Sequence, residues 1–240
     1  MTSFFYPYPP LKKGVLVRRY QRFLADIQLD SGAMITAHCP NTGPMLGVCQ
    51  AGSPVYVSQS DNPQRKYAYT WELIAVDGTW VGINTSLPNK VIKNMLLAQA
   101  LPELKGQYET VRSEVAYGQL GKSRIDFLLG HPHQKSSYVE VKNTTLSHHN
   151  CALFPDTVTT RGQKHLQELM ALLPHHQAIM LYFINRGDCT EFAPGDEFDP
   201  SYGQLLRQAI ALGVKVLPCR FEVSPRGLSY QGLASLKSLG

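Results

Sequence analysis

Tyr138-Val139-Glu140-Val141-Lys142 alternates charged and apolar positions, and its reading decides the fold of the second half of the chain. On an extended backbone, successive side chains point to opposite faces. Glu140 and Lys142 therefore share one face, while Val139 and Val141 pack inward on the other. Two buried valines hold the polar pair against a rigid sheet, which is the support a catalytic group needs. Upstream, Ser123-Arg124-Ile125-Asp126-Phe127-Leu128-Leu129 alternates in the same way, with Asp126 opposite Ile125, Phe127 and Leu129. A polar stretch containing His131-Pro132-His133 joins the two runs, so they are predicted to pair as a hairpin that sets Asp126 near Glu140. Two carboxylates and a lysine at one strand end suit a hard cation, Mg²⁺ or Mn²⁺, with phosphate oxygens completing its shell. Such an ion polarises a phosphoryl group and acidifies a bound water, and Lys142 positions that water or stabilises developing negative charge. Glu114, just upstream, is a third acid for the same shell. The bland reading is that Arg124, Asp126, Glu140 and Lys142 form cross-strand ion pairs on a solvated face.

Downstream, a helix is predicted over Thr160–Leu173. Leu166, Leu169, Met170 and Leu173 make its apolar face, with Arg161, Lys164, His165 and Glu168 clustered opposite. Arg161 and Lys164 lie in the first turns, where the helix dipole favours a phosphate. The alternative is a solvated face on which Lys164 pairs with Glu168. A strand over Ala178–Ile184, a helix over Tyr202–Leu212 closed by Gly213 and a strand over Val214–Val223 complete the pattern. Before the quoted stretch, Ser86 can cap a helix carrying Pro88 in its first turn, with Val91, Met95 and Ala98 at helical spacing. A strand follows over Arg112–Tyr117. Residues 85–240 thus read as an α/β layout with helices over a mixed sheet.

Residues 1–84 read differently. Arg22–Leu29 nearly alternates, with Phe23, Ala25, Ile27 and Leu29 on one face, Arg22, Asp26 and Gln28 on the other, and Leu24 out of phase. Asp30-Ser31-Gly32 is a turn, Met34–His38 a strand, and His38-Cys39-Pro40-Asn41-Thr42-Gly43-Pro44 a rigid polar loop. Pro54–Ser58 and Tyr67–Asn84 add strands, the latter turning at Asp77-Gly78. Short strands at this spacing predict a small β-barrel or sandwich. The domain boundary falls between Asn84 and Pro88.

The 240 residues carry 23 Lys and Arg against 18 Asp and Glu, net +5. The segment ending at Asn84 has seven against five and the remainder sixteen against thirteen, so basicity is spread, with no polybasic run. This permits a polyanion partner and equally fits ordinary solubility charge. Charged residues at 17% and hydrophobic residues at 43% argue against disorder. The longest apolar run, Ala178–Ile184, is too short to span a bilayer. MTSFFYPYPP lacks the charged region of a secretory signal, and five cysteines without close pairing suit a reducing cytoplasm. His148, His149 and Cys151 suggest a soft metal site but lack a fourth ligand. No Gly-rich phosphate loop or serine-nucleophile elbow occurs.

Asp126 followed fourteen residues later by Glu140-x-Lys142 on a strand, then a helix, resembles the core of the PD-(D/E)xK nuclease superfamily. The wider series RYQRFLADIQLDSG, HCPNTGPM, NPQRKYAYTWEL, VGINTSLPNKVI, SEVAYG, SRIDFLL, YVEVKNTTL, FPDTVTTRGQKHLQELM and FAPGDEFDPSYGQLLRQA resembles, in order over almost the whole chain, the bacterial sugar fermentation stimulation protein A family. The resemblance implies an α+β protein of two domains: an N-terminal OB-like β-barrel (1–84) that binds nucleic acid, and a C-terminal α/β PD-(D/E)xK nuclease-like domain (85–240). It implies non-specific DNA binding linked to regulation of sugar (maltose) metabolism. It carries Asp126, Glu140 and Lys142 onto the nuclease motif and Glu114 onto its leading acid. Ile125 stands where the motif has proline, and Asp156, in the Pro155-Asp156 that follows the motif, reads as a loop or capping residue.

Barrels of this kind bind single strands by stacking bases on aromatics in a positive groove. Tyr67, Tyr69 and Trp71 alternate beside Arg65 and Lys66, and Arg18, Arg19, Tyr20 and Arg22 form a second cluster. The aromatics fit barrel core as well as a stacking platform, which leaves the arginines as the better DNA contacts. The expected function is a cytoplasmic, non-specific DNA-binding protein with a Mg²⁺-dependent nuclease site at Asp126, Glu140 and Lys142, clamped by Arg161 and Lys164. The alternative is a DNA-binding regulator whose nuclease fold is catalytically idle. A sugar hydrolase using Asp126 and Glu140 is disfavoured, because Lys142 depresses the raised pKa a general acid needs.

Overall fold

A computed structural model describes residues 4–118, 121 and 123–237 of the chain. The elements run β1 (Phe5–Pro7), β2 (Leu11–Tyr20), β3 (Leu24–Leu29), β4 (Met34–His38), β5 (Pro54–Gln59), β6 (Tyr69–Val76), β7 (Thr79–Gly82), α1 (Leu87–Leu97), β8 (Thr110–Tyr117), β9 (Ser123–Gly130) and β10 (Ser137–Thr144). They continue with β11 (Leu146–His148), β12 (Cys151–Phe154), α2 (Thr160–Leu172), β13 (Gln177–Ile184), β14 (Glu191–Pro194), α3 (Pro200–Leu212), β15 (Lys215–Ser224), β16 (Gly227–Leu233) and β17 (Ser235–Leu236).

Strands β2 to β7 form one sheet in the order β4-β3-β2-β5-β6-β7, and parallel pairing of β4 with β6 closes it into a five-stranded barrel. Closure removes the exposed edges that a small sheet otherwise presents. Leu16, Ile27, Val55, Val57, Trp71 and Ile74 fill the interior. Trp71 is fully buried and donates its indole N–H to the Leu73 carbonyl at 2.9 Å, so it is core and not a stacking platform. The strand expected from Arg22 starts at Leu24 instead. Gln21 and Arg22 take left-handed φ values of 50° and 66° in the β2–β3 turn, and Phe23 is left exposed. The sequence pattern also predicts no strand over Leu11–Tyr20, where exposed Lys12, Lys13 and Arg18 hide the alternation of buried Gly14 and Leu16.

The second sheet has the order β1-β16-β15-β13-β10-β9-β8, with β10, β13 and β15 parallel and the flanking strands antiparallel. Helix α1 packs on one face, against Val139, Val141, Leu181 and Phe183. Helices α2 and α3 pack on the other, against Met180, Tyr182 and Ile184. The seven apolar residues of β13 feed both layers, which is why that strand reads as a continuous hydrophobic run. Asp199 caps α3 by accepting from the Tyr202 N–H at 3.0 Å, and Gly213, at φ 108°, ends it. A small sheet β11-β12-β14-β17 lies beside this core.

Two features tie the units together. Strand β1, from the start of the chain, pairs with β16 of the second sheet, so residues 5–7 leave the 1–84 segment and join the C-terminal layer. Gly82 of β7 donates its N–H to the Asn185 carbonyl at 2.9 Å, beside an isolated pairing of Val81 with Arg186. No helix among the described residues is long and apolar enough to cross a membrane.

Candidate active site

The β9–β10 hairpin is paired from Leu129–Ser137 to Phe127–Val139, and the two strands part at Asp126. Ile125 packs under α2 while Phe127 packs under α1, so Asp126 sits where β9 turns over. Its carboxylate fills the gap between the parted strands. Oδ2 accepts from the Val141 N–H at 2.7 Å, and Oδ1 accepts from Asn89 of α1 at 2.7 Å. Glu140 points to the other layer: Lys142 donates to its Oε1 at 2.7 Å, and His165 of α2 meets the same oxygen at 2.5 Å. The Lys142 ammonium lies 3.0 Å from His165 Nδ1, and Arg161 Nε donates to His165 Nε2 at 3.4 Å. A proton on Nδ1 lets the ring donate to Glu140 Oε1 and accept from Arg161 at Nε2, while the Lys142 ammonium is satisfied by Glu140.

The electrostatics follow from burial. Burial first, and then the negative charge of Glu140, push the Asp126 carboxyl up to about 6. Burial also acts to raise Glu140, but the His165 hydrogen bond and the Lys142 charge outweigh it and hold Glu140 below its ordinary value. The second Glu140 oxygen, Oε2, is buried and has no hydrogen-bond partner. An unsatisfied buried carboxylate oxygen, within electrostatic reach of a second carboxylate raised by burial and like charge, is the situation a hard divalent cation relieves. Glu140 Oε2 therefore fits Mg²⁺ or Mn²⁺ as an oxygen donor, and Asp126, within electrostatic reach of it, would be a second. Among the described residues no three His, Cys, Asp or Glu side chains converge closely enough to hold a metal, so water or phosphate oxygens would supply the rest of the shell.

The other residues singled out from sequence fall variously. Glu114 is exposed at φ 54° on β8 and shares a hollow of about 160 Å³ with Asp126, Asn89, Lys90 and Lys93, without joining Glu140. Lys164 is taken up by Glu168 at 3.5 Å and Ser123 at 3.2 Å, and Arg161 by His165. Arg19 turns inward and donates to the carbonyls of Arg22, Asn41 and Gly43, at 2.7, 2.9 and 2.9 Å, so it staples the 39–45 loop. Arg18 is exposed, bonded to Asp26 at 2.8 Å and lying over Tyr20. Arg22 is exposed in its turn, Arg65 donates to Thr70 at 3.1 Å, and Lys66 lies over the Tyr67 ring. Asp156 lines a small hollow with Asn41, Asn143 and Thr144. His165, expected on the polar face of α2, is buried, because it lies three residues after Gly162 and four before Leu169, on the same helical stripe. That spacing was the available signal.

Residues 86–227 match the family described as sugar fermentation stimulation protein RE domain, and residues 17–83 match the SfsA N-terminal OB domain. A sugar fermentation stimulation protein homolog of Synechocystis sp. is 65% identical over 234 residues, covering 98% of this chain and 99% of that one. The homolog of Rippkaea orientalis is 68% identical over 236 residues, 98% of each chain. The solved structure of Pyrococcus furiosus SfsA superposes with a TM-score of 0.87 at 24% identity, covering 97% of this chain and 98% of that one, which fixes the fold. Matched in both halves and along nearly its whole length, the chain belongs to the sugar fermentation stimulation protein family.

Proposed function

We propose that this protein binds DNA without sequence preference and hydrolyses its phosphodiester backbone with a divalent metal at Asp126 and Glu140. The observation that carries the reading is the buried Glu140–Lys142–His165 cluster, with the orphaned Glu140 Oε2 in electrostatic reach of a carboxyl pushed up to about 6. Structural ion pairs on a solvated face do not have both partners this buried. Pyrococcus furiosus SfsA was solved in complex with Ca²⁺, a cation of the same oxygen-seeking class.

When bound, Mg²⁺ or Mn²⁺ supplies Lewis acidity at a phosphoryl oxygen and lowers the pKa of a coordinated water. The chain's own residues do the rest. His165 and Lys142 orient the Glu140 carboxylate, and Val141 N–H and Asn89 orient that of Asp126. The Lys142 ammonium places a positive charge next to Glu140, where it stabilises charge developing on the phosphate. Arg161 holds the His165 ring from the solvent side. Arg18, Arg22, Arg65 and Lys66 on the barrel are the cations placed to meet phosphates at longer range, in a chain of net charge +5. Five free cysteines, four of them buried, favour a cytoplasmic setting.

Nicking of supercoiled plasmid in Mg²⁺ or Mn²⁺ tests the reading. Glu140→Ala is expected to abolish nicking and keep DNA binding. Binding without cleavage under every divalent metal tried would leave a DNA-binding regulator with an idle nuclease fold.

A further inference from the structure

Between the barrel and helix α1 lies a hollow of about 490 Å³, within the range of roughly 300–1,000 Å³ usual for small-molecule sites. Its wall combines barrel residues with the start of the nuclease-like domain: Arg65 and His38 from one side, Lys90 of α1 from the other, and Tyr6 and Tyr8 from the N-terminal segment. At its base is Glu72, 5% exposed, accepting from Ser58 Oγ at 2.7 Å and Asn84 Nδ2 at 2.9 Å. Each of those oxygens keeps a lone pair for a further N–H or O–H donor. The Tyr8 hydroxyl is buried and has no partner. Lys90 lines this hollow and also the smaller one that holds Asp126, so one α1 residue borders both.

We infer that this hollow receives one unstacked nucleotide of the substrate strand, next to the phosphate presented to Asp126 and Glu140. The inference rests on the phosphodiesterase reading above and names the form of substrate it takes. A nucleotide meets the three chemistries of the wall. Its phosphate suits Arg65 and Lys90, beside the positive end of α1. The N–H groups of a base edge suit the free lone pairs of Glu72, and the flat ring suits the half-buried Tyr6. A base inside a duplex stack reaches none of these, and unstacking one costs a few kcal/mol. Single strands, frayed ends and gaps are therefore the favoured substrates.

The test is equilibrium binding of dAMP, dCMP, dGMP and dTMP, with inorganic phosphate as comparison, to the full chain in EDTA. Metal is absent, so the result is independent of cleavage. At least one nucleotide is expected to bind roughly tenfold tighter than phosphate, and Arg65→Glu and Lys90→Glu are each expected to weaken it by about tenfold, the effect of losing one charge-assisted contact. Glu72→Gln is expected to shift the preference among the four bases. Three results overturn the inference: no nucleotide binding, phosphate binding as tightly as nucleotides, or unchanged affinity in both charge-reversed variants. A wild-type protein that binds nucleotides but never nicks DNA instead overturns the parent reading, so the two failures are distinguishable.

Discussion

Asp126 carries the most informative single property of the molecule. In the folded protein its carboxyl is pushed up to about 6, first by burial and then by Glu140, against an ordinary value of 3.8. The native state therefore holds a proton between those values that the unfolded chain has already lost. Asp126's own contribution to the stability of the metal-free protein accordingly falls as pH rises from about 4 to about 6. Metal at the proposed site would require the deprotonated carboxylate, so its binding is expected to run the other way. Mn²⁺ affinity measured by calorimetry is expected to be about tenfold weaker at pH 5 than at pH 7, since pH 5 lies about one unit below the titration. Asp126→Asn is expected to flatten that dependence. A wild-type affinity independent of pH over this range would remove Asp126 from the proposed metal shell. His165 makes the complementary point: a histidine on an apolar helical stripe, beside a buried Glu–Lys pair, has three polar partners and is not a surface residue.

Strand β2 shows how one element sorts its charges. Arg18 and Arg19 are adjacent, so the pleat sends them opposite ways. The Arg18 side chain is 68% exposed and paired with Asp26. Arg19 crosses to three backbone carbonyls of the turn and the 39–45 loop. Arg19→Ala strands those acceptors and is expected to cost about 2 kcal/mol or more in denaturant unfolding. Arg18→Ala is expected to change stability by less than about 1 kcal/mol, as exposed ion pairs do. Equal effects would mean that Arg19 is not a staple. Only Arg18 of the two is then available to a DNA backbone, so charge reversal there, and not at Arg19, is the clean probe of the barrel surface. Helix α2 is similar. Its Thr159 cap and its Leu166 and Leu169 contacts set the rotation that turns His165 toward Glu140.

The molecule as a whole depends on a close junction between its units. A Cβ on Gly82 would collide with the Asn185 side-chain amide, where the β7 backbone donates to the Asn185 carbonyl. Gly82→Ala is therefore expected to lower stability by about 1–3 kcal/mol through overpacking, read as a drop in Tm by calorimetry. An unchanged Tm would show that the junction yields freely. Much of this architecture was legible in the chain. Alternation at Glu140 and Lys142 placed them on one face, the apolar run at Ala178–Ile184 marked a central strand, and Pro, Gly and Asp located the turns and caps. Those are local consequences of backbone geometry, with period two in strands and 3.6 in helices. What required the folded structure was every relation between segments distant in the chain. The pairing of Phe5–Pro7 with β16, the inward turn of Arg19, the burial of His165 against Glu140 and the hollow between Glu72 and Lys90 all depend on which surfaces meet. No periodicity records that, because a side chain's charge and size do not say which distant neighbour will exclude its water.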